Sequence, residues 1–261
     1  MTTATLPVGD LLRDWRQRRH RSQMDLAHEV GVSPRHLSFV ETGRARPSPE
    51  MVLAVARHLE VPLREQNALL LAAGYAPRYR ETPIDDESMA RVRRSLQRML
   101  DAHDPYPGVV IDRQWDVVLA NQSAWRLTEG VPDVLLGPPL NVFRICLHRD
   151  GLASRTRNFP EWAAYLLHQI DRTVRLTGDR RLAQIRDEVR SYPNVAALPE
   201  RPVDDDPPLL VPVVLDLGGR DVAMFTTLTT FGTPRDVTLD ELAVELFFPA
   251  DDAAEAALRG G

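Results

Sequence analysis

Three serines set the architecture of the first third of this chain. Ser22, Ser33 and Ser48 each stand where a side-chain oxygen can cap a helix, and proline follows the second and third at the first helical position. Asp25 falls three residues after Ser22, as in a capping box. Gly31 sits where a left-handed residue closes a helix. These signals divide residues 8–73 into short helices: about Gly9–Arg19, with Leu11, Leu12 and Trp15 on one face, then one from Ser22 to Gly31. Two more open at Ser33-Pro34 and Ser48-Pro49, and a last one near Arg64–Ala73 stops at Gly74. Tyr75–Ile84, with two prolines and no apolar period, reads as a linker.

The charge is divided along the same line. Residues 1–80 hold twelve Arg against eight Asp and Glu, a balance of +4, whereas the remainder carries −9 within a net −5. Every basic residue is Arg, a usage that a GC-rich genome partly explains, although guanidinium suits bidentate contact with phosphate and guanine. Cys146 is the single cysteine and cannot close an internal disulfide, no secretory pattern opens the chain, and no uncharged apolar run reaches membrane-span length. The expectation is a cytoplasmic protein.

Beyond the linker, Met89, Val92, Leu96 and Met99 or Leu100 fall at helical spacing and predict a connector helix over about Asp86–His103. The pattern then changes period. Val109–Ile111 and Trp115–Leu119 form an expected hairpin around Asp112-Arg113-Gln114, followed by helices at about Asn121–Thr128, Leu140–His148, Pro160–Leu176 and Arg180–Ser191. A loop, Pro199–Pro208, leads to a second hairpin, Leu209–Leu217 and Asp221–Phe231, turned by Gly218-Gly219. Leu242, Val244, Leu246 and Phe248 alternate strictly and predict a strand, with the tail after Pro249 frayed. An antiparallel sheet with helices gathered on one face follows.

Over Arg16–Pro47 two helices meet at a tight connection, the geometry in which a second helix presents its N-terminal residues to base edges in the major groove. Ser33, Pro34, Arg35, Ser38 and Phe39 are then the outward residues. Arg35 is the best base reader, because its guanidinium matches guanine O6 and N7. Phe39 is open to two readings, a partner for a thymine methyl or a core residue. Arg44 and Arg46, after the helix, are placed on phosphates, as are Arg18, Arg19 and Arg21 beside the turn, although a solvated surface arginine explains any one of them equally.

Ser22-Gln23-Met24-Asp25-Leu26-Ala27, Gly31-Val32-Ser33, Leu37-Ser38, Val40-Glu41-Thr42-Gly43 and Pro47-Ser48 together resemble the XRE, or Cro/C1-type, family across about residues 8–73. The resemblance implies that Gln23 contacts a base or phosphate, and that Arg16 and Glu41 form an ion pair tying the first helix to the recognition helix. A second resemblance lies in Asp104-Pro105-Tyr106-Pro107, Trp115-Asp116-Val117-Val118 with Ala120-Asn121, Thr229-Thr230-Phe231-Gly232-Thr233-Pro234 and Phe247-Phe248-Pro249-Ala250-Asp251. These are similar to the PAS-like ligand-binding domain of MmyB-like regulators. That family implies a pocket between sheet and helices for a fatty acid or another largely apolar metabolite.

Trp125, Phe143, Trp162, Leu166, Phe225 and Leu228 are candidate lining residues, with Arg144 for a carboxylate head, and core packing accounts for each of them as well. Enzyme signatures are missing: no nucleophile elbow, zinc-protease pair, phosphate loop or dinucleotide fingerprint occurs, and His148 with Asp150 is a lone H-x-D. Cys146 reads as a small buried hydrophobe, with a redox sensor as the other option. No cofactor or metal is expected.

The expected fold is multidomain. An all-α, lambda-repressor-like helix-turn-helix domain covers 1–80, a linker and connector helix 81–103, and an α+β PAS-like domain with an antiparallel sheet 104–261. The expected function is a non-enzymatic, sequence-specific transcriptional regulator: a homodimer that binds double-stranded operator DNA and responds to a small apolar effector. The competing reading gives the C-terminal domain dimerisation or a protein partner only.

Overall fold

The computed structural model describes residues 6–199 and 210–260. The expected loop Pro199–Pro208 lies, except for its first residue, outside the described residues. Two compact units emerge. The first comprises residues 1–82 with 233–240, and the second residues 83–232 with 241–261.

Five helices build the first unit: α1 (Val8–Arg18), α2 (Gln23–Val30), α3 (Pro34–Glu41), α4 (Pro49–His58) and α5 (Leu63–Ala72). Their starts follow local chemistry. Ser22, Ser33 and Ser48 accept from the backbone N–H groups of Asp25, His36 and Met51 at 3.1, 3.1 and 3.2 Å, each cap contributing about 1 kcal/mol. Gly31 closes α2 at φ +76°, in the left-handed region that glycine enters without strain. Leu12, Trp15, Leu26, Leu37, Val40, Val52, Val55 and Leu69 form one core; burying a leucine completely contributes about 1.5–3 kcal/mol. α1 and α3 touch at Gly9, where a Cβ would stand 2.3 Å from the Val40 carbonyl oxygen.

The segment 233–240 completes this unit. Asp240 Oδ2 accepts from the Leu63 N–H at 2.8 Å, supplying the side-chain acceptor that Pro62 lacks at the start of α5. Asp236 Oδ2 accepts from Thr82 Oγ1 at 2.7 Å.

In the second unit a 3-10 turn (Glu87–Met89) leads into α6 (Ala90–Asp101), followed by β1 (Gly108–Ile111) and β2 (Val117–Ala120). Helices α7 (Gln122–Arg126), α8 (Asp133–Leu136), α9 (Val142–Leu147), α10 (Phe159–Thr177), α11 (Arg180–Arg190) and α12 (Pro193–Ala196) precede β3 (Val213–Leu217) and β4 (Arg220–Thr230). β5 (Ala243–Pro249) and α14 (Asp252–Arg259) follow the short helix α13 (Val237–Glu241), which belongs to the first unit except for its last residue. The five strands pair antiparallel throughout in the order β2-β1-β5-β4-β3, a PAS-like α+β architecture with β5 at the centre. Gly218 and Gly219, at φ +64° and +83°, make the tight turn between β3 and β4.

Alternation along the strands assigns two faces. Ile111, Val213, Leu215, Val222 and Met224 pack with Phe143, Trp162, Leu166 and Ile170 under α9, α10 and α11. The opposite face carries Gly108, where an added Cβ would meet Leu100 of α6 and Leu246 of β5 at 3.1 and 3.0 Å. Helices therefore lie on both faces rather than one, because α6 covers the side that the period-2 pattern of β5 leaves apolar.

Two further expectations are corrected. Trp115 does not start β2: it turns at φ +63° inside a loop held by Asp112 Oδ1, which accepts from the Gln114 and Asp116 N–H groups, and its ring packs on Phe143 at 4.8 Å. The tail after Pro249 is not frayed. Asp251 caps α14 through the Ala254 N–H at 2.7 Å, and Ala254, Ala257 and Leu258 join the core.

Candidate functional site

The connection between α2 and α3 leaves the first turn of α3 outward. Ser33, Pro34 and Arg35 are exposed, Ser38 and Phe39 are half-buried, and Leu37 and Val40 point into the core. Phe39 is outside that core. Its ring lies between two guanidinium groups, Arg35 at 5.2 Å and Arg44 at 5.9 Å from the centroid. Cation–π attraction of this kind contributes about 0.5–1 kcal/mol at exposed sites. One outward patch thus combines two cations, an aromatic ring and the hydroxyl of Ser38.

Glu41 sets the angle of that patch. It is 1% exposed. Arg16 Nε and Nη2 donate to its two carboxylate oxygens at 2.7 and 2.9 Å, and Gln23 Nε2 donates to Oε2 at 2.6 Å. Burial by itself would raise this carboxyl, but the bonds from Arg16 and Gln23 outweigh it and hold the carboxyl below the usual range. Three helices therefore share one anion, and Gln23, at the head of α2, is oriented by it.

The remaining arginines divide. Arg46 is exposed at its edge, yet its Nε and Nη2 donate to the Ala73 carbonyl at 3.2 and 2.9 Å and its guanidinium lies 5.1 Å from the Tyr75 ring centroid. It thereby closes the end of α5. Arg19 likewise donates to the Leu59 and Glu60 carbonyls. Arg18 pairs with Asp14, and Arg21 with Glu29.

In the second unit the seven expected lining residues do not converge. Phe143, Trp162 and Leu166 are buried together in the main core. Phe225 stacks on Phe248 at 5.5 Å on the other face of the sheet, as its register pairing requires. Trp125 is 49% exposed, and Leu228 is 41% exposed on the helix-facing side. Arg144 donates to both oxygens of Glu188 and lines a cleft of about 570 Å³ with His148, Tyr192 and the Pro138-Pro139 loop. A second cleft of about 450 Å³ is lined by Ser123, Arg126, Arg155, Val222 and Leu258, among others.

Asn141 and Glu245 are among the buried polar residues of this unit that went unassigned in the sequence. Asn141 donates to Gln114 O and Asp116 Oδ1 and accepts from the Phe143 and Arg144 N–H groups, fixing the start of α9. Asparagine before an apolar run is a capping signal that could have been read. Glu245 is 4% exposed on β5, at a position the alternating pattern gives to solvent. Cys146 is a neutral thiol, pushed by burial, and less by Glu245, up to about 12, which is far from the environment of a reactive cysteine.

Among the described residues no helix is long and apolar enough to cross a membrane. A helix-turn-helix domain model matches residues 7–69. The MmyB-like transcription regulator ligand binding domain matches residues 92–260. Transcriptional regulator ClgR of Mycobacterium tuberculosis, in strains CDC 1551 / Oshkosh and H37Rv, is 34% identical over 113 residues, which span 43% of this chain and 86% of that protein. With the ligand-binding-domain match covering more than half of its length behind a helix-turn-helix match, the chain belongs to the family of MmyB-like transcription regulators, DNA-binding proteins with a ligand-binding-type domain.

Proposed function

We propose that the chain recognises a specific operator through α3, as a cytoplasmic homodimer whose second unit responds to a small, largely apolar metabolite with a fatty-acid-like chain. One observation carries the reading of the DNA face: Arg35, Ser38, Phe39 and Arg44 share the outward side of α3 and the loop after it, above a helix start held by Ser33 and Pro34. Arg35, in the first turn, reads a guanine edge. Phe39 and Ser38 follow it into the groove, Phe39 against a thymine methyl. Arg44 lies past the helix end and binds phosphate, and Gln23 contacts the backbone or a base from the head of α2. Arg46 belongs to the fold rather than to the interface.

Two such heads on a near-palindromic site stand one helical turn apart, about 34 Å. The chain crosses between the units after Thr82, after Gly232 and after Asp240. That continuity supports a route by which effector binding on the sheet changes the placement of the heads. The effector must bind one arrangement better than the other, because equal affinity shifts nothing.

The test begins with an operator selected from random duplexes. Arg35→Ala is expected to relax specificity at one base position, a loss of about 1–3 kcal/mol for the preferred base. Arg44→Ala is expected to weaken binding to all sequences alike and to reduce the salt slope by about 1. Equal, sequence-independent losses for both variants would refute these roles.

A further inference from the structure

Helix α6 carries four arginines and one aspartate, in a part of the chain whose balance beyond residue 80 is −9. Its inner side is fixed: Leu96 and Leu100 are buried, and Gln97 Nε2 donates to the Ala120 carbonyl of β2 at 3.4 Å. At about 3.6 residues per turn, Arg91, Arg94, Ser95 and Arg98 fall together on the opposite side, and all four are exposed. Arg93 lies between the two sides, half-buried, and donates to the Ile84 carbonyl at 3.2 Å.

The three outward guanidinium groups are unmatched. Elsewhere in this unit Arg144, Arg157, Arg181, Arg186, Arg190 and Arg259 each meet a carboxylate. Among the described residues no carboxylate pairs with Arg91, Arg94 or Arg98: Asp101 accepts from Gln97 Nε2 at 2.8 Å, and Asp86 from the N–H and hydroxyl of Ser88. The arrangement does not serve the helix itself. Arg91 stands in its first turn, where the helix dipole disfavours a cation. Arg91 with Arg94, and Arg94 with Arg98, are like charges at i,i+3 and i,i+4, which repel. A basic stripe held at local cost, and without counter-ions in an acidic part of the chain, fits an anionic partner.

Its dimensions and its place in the chain favour DNA. Arg91 to Arg98 spans about 10 Å of helix at 1.5 Å per residue, and each strand of a duplex carries one phosphate per about 3.4 Å of axis, so the stripe can meet two or three of them. The chain leaves the first unit after Thr82, and α6 opens at Ala90. Those residues extend to about 29 Å at most, less than one turn of duplex, about 34 Å. A second copy of the chain fits this face poorly, because a two-fold interface sets the same patch of both subunits against each other and brings arginine onto arginine.

We propose that the outward face of α6 binds the phosphate backbone of the duplex beside the operator half-site. Each chain then holds DNA with both units: α3 reads bases, and α6 adds affinity without sequence preference. This rests on the reading of α3 as the DNA-recognition helix and extends the interface to the second unit.

The full chain would be compared as wild type, as Arg91→Gln/Arg94→Gln/Arg98→Gln, and as Arg172→Gln/Arg175→Gln/Arg180→Gln, which removes three other exposed cations from α10 and α11. Glutamine keeps the helix propensity in both triple variants. Affinity would be measured over a salt series on the selected operator and on an unrelated duplex, with hydroxyl-radical footprints of the operator complex. We expect the α6 triple to bind both duplexes about tenfold or more weakly at low salt, and its salt slope to fall by about 2–3. Protection of the backbone outside the half-site is expected to vanish, with base preference and melting temperature unchanged, whereas the second triple keeps the wild-type slope and footprint. An unchanged slope and footprint in the α6 triple, or equal losses in both triples, would overturn the proposal alone. So would conversion of a wild-type dimer to a monomer by the α6 substitutions in sedimentation, which marks the face as a contact between copies. Failure of wild type to select any operator would overturn the reading of α3, and this inference with it.

Discussion

Among the described residues, Glu245 is a carboxyl that burial displaces into the neutral pH range. Its carboxyl is displaced by burial from an ordinary value of 4.5 to about 7, so the folded state holds a proton that the unfolded chain has already released. Below pH 4.5 both states are protonated and the residue is neutral in effect. As pH rises from 4.5 to 7 the folded state is progressively disfavoured, and above 7 the full penalty persists. At 1.36 kcal/mol per unit this amounts to about 3 kcal/mol. Cys146 and Tyr165, the other titratable groups facing it, are both shifted upward and stay neutral throughout this window. The prediction is that the stability of Glu245→Gln relative to wild type is near zero at pH 4 and grows to about 3 kcal/mol by pH 8 in denaturant titrations; a difference constant with pH would contradict it. Nothing local announced this residue. Leu242, Val244, Leu246 and Phe248 read as the buried half of a strand, and the intervening glutamate belongs to solvent on that pattern. β5 is covered on both faces, and the pattern knows of one.

Helix placement in the first unit depends on one shared anion more than on any single helix. Arg16 from α1 and Gln23 from α2 both donate to Glu41 at the end of α3, and α1 reaches α3 closely because Gly9 has no Cβ to strike the Val40 carbonyl. Glu41→Ala strands the half-buried Arg16 cation and is expected to cost about 3–5 kcal/mol. Thermal unfolding is expected to shift well before base preference changes, since Glu41 itself is buried away from the groove side; a variant of normal stability with altered preference would reverse that order of roles. The starts of α2, α3 and α4 were legible because a cap involves bonds spanning three residues. The capped start of α14 has the same chemistry at Asp251, but its stability comes from Ala254, Ala257 and Leu258 meeting a core assembled from distant strands.

On the scale of the whole molecule the two units are interleaved in sequence. Residues 8–79 carry the main apolar core cluster of the first unit, so a fragment of residues 1–82 is expected to fold although it loses the buried Val237 of the 233–240 segment. It would lack Asp240 at the start of α5 and Asp236 at Thr82, and also the second unit proposed to pair two heads. Its operator affinity, measured by gel shift beside the full chain, is expected to be weaker; undiminished affinity would remove the argument for a dimer. Sequence alone determined the helix-turn-helix, through capping serines, Gly31 and an apolar period of 3.6, and it determined the antiparallel strands through a period of 2. Each of those signals is an interaction between residues a few positions apart, and it survives without knowledge of the fold. Tertiary structure alone decided that Arg46 closes α5, that Trp115 turns in a loop to reach Phe143, that Phe225 and Trp162 take opposite sides of the sheet, and that Glu245 is buried with one oxygen unmet. These depend on which distant segments come together, and a burial energy or an unpaired oxygen exists only once they have.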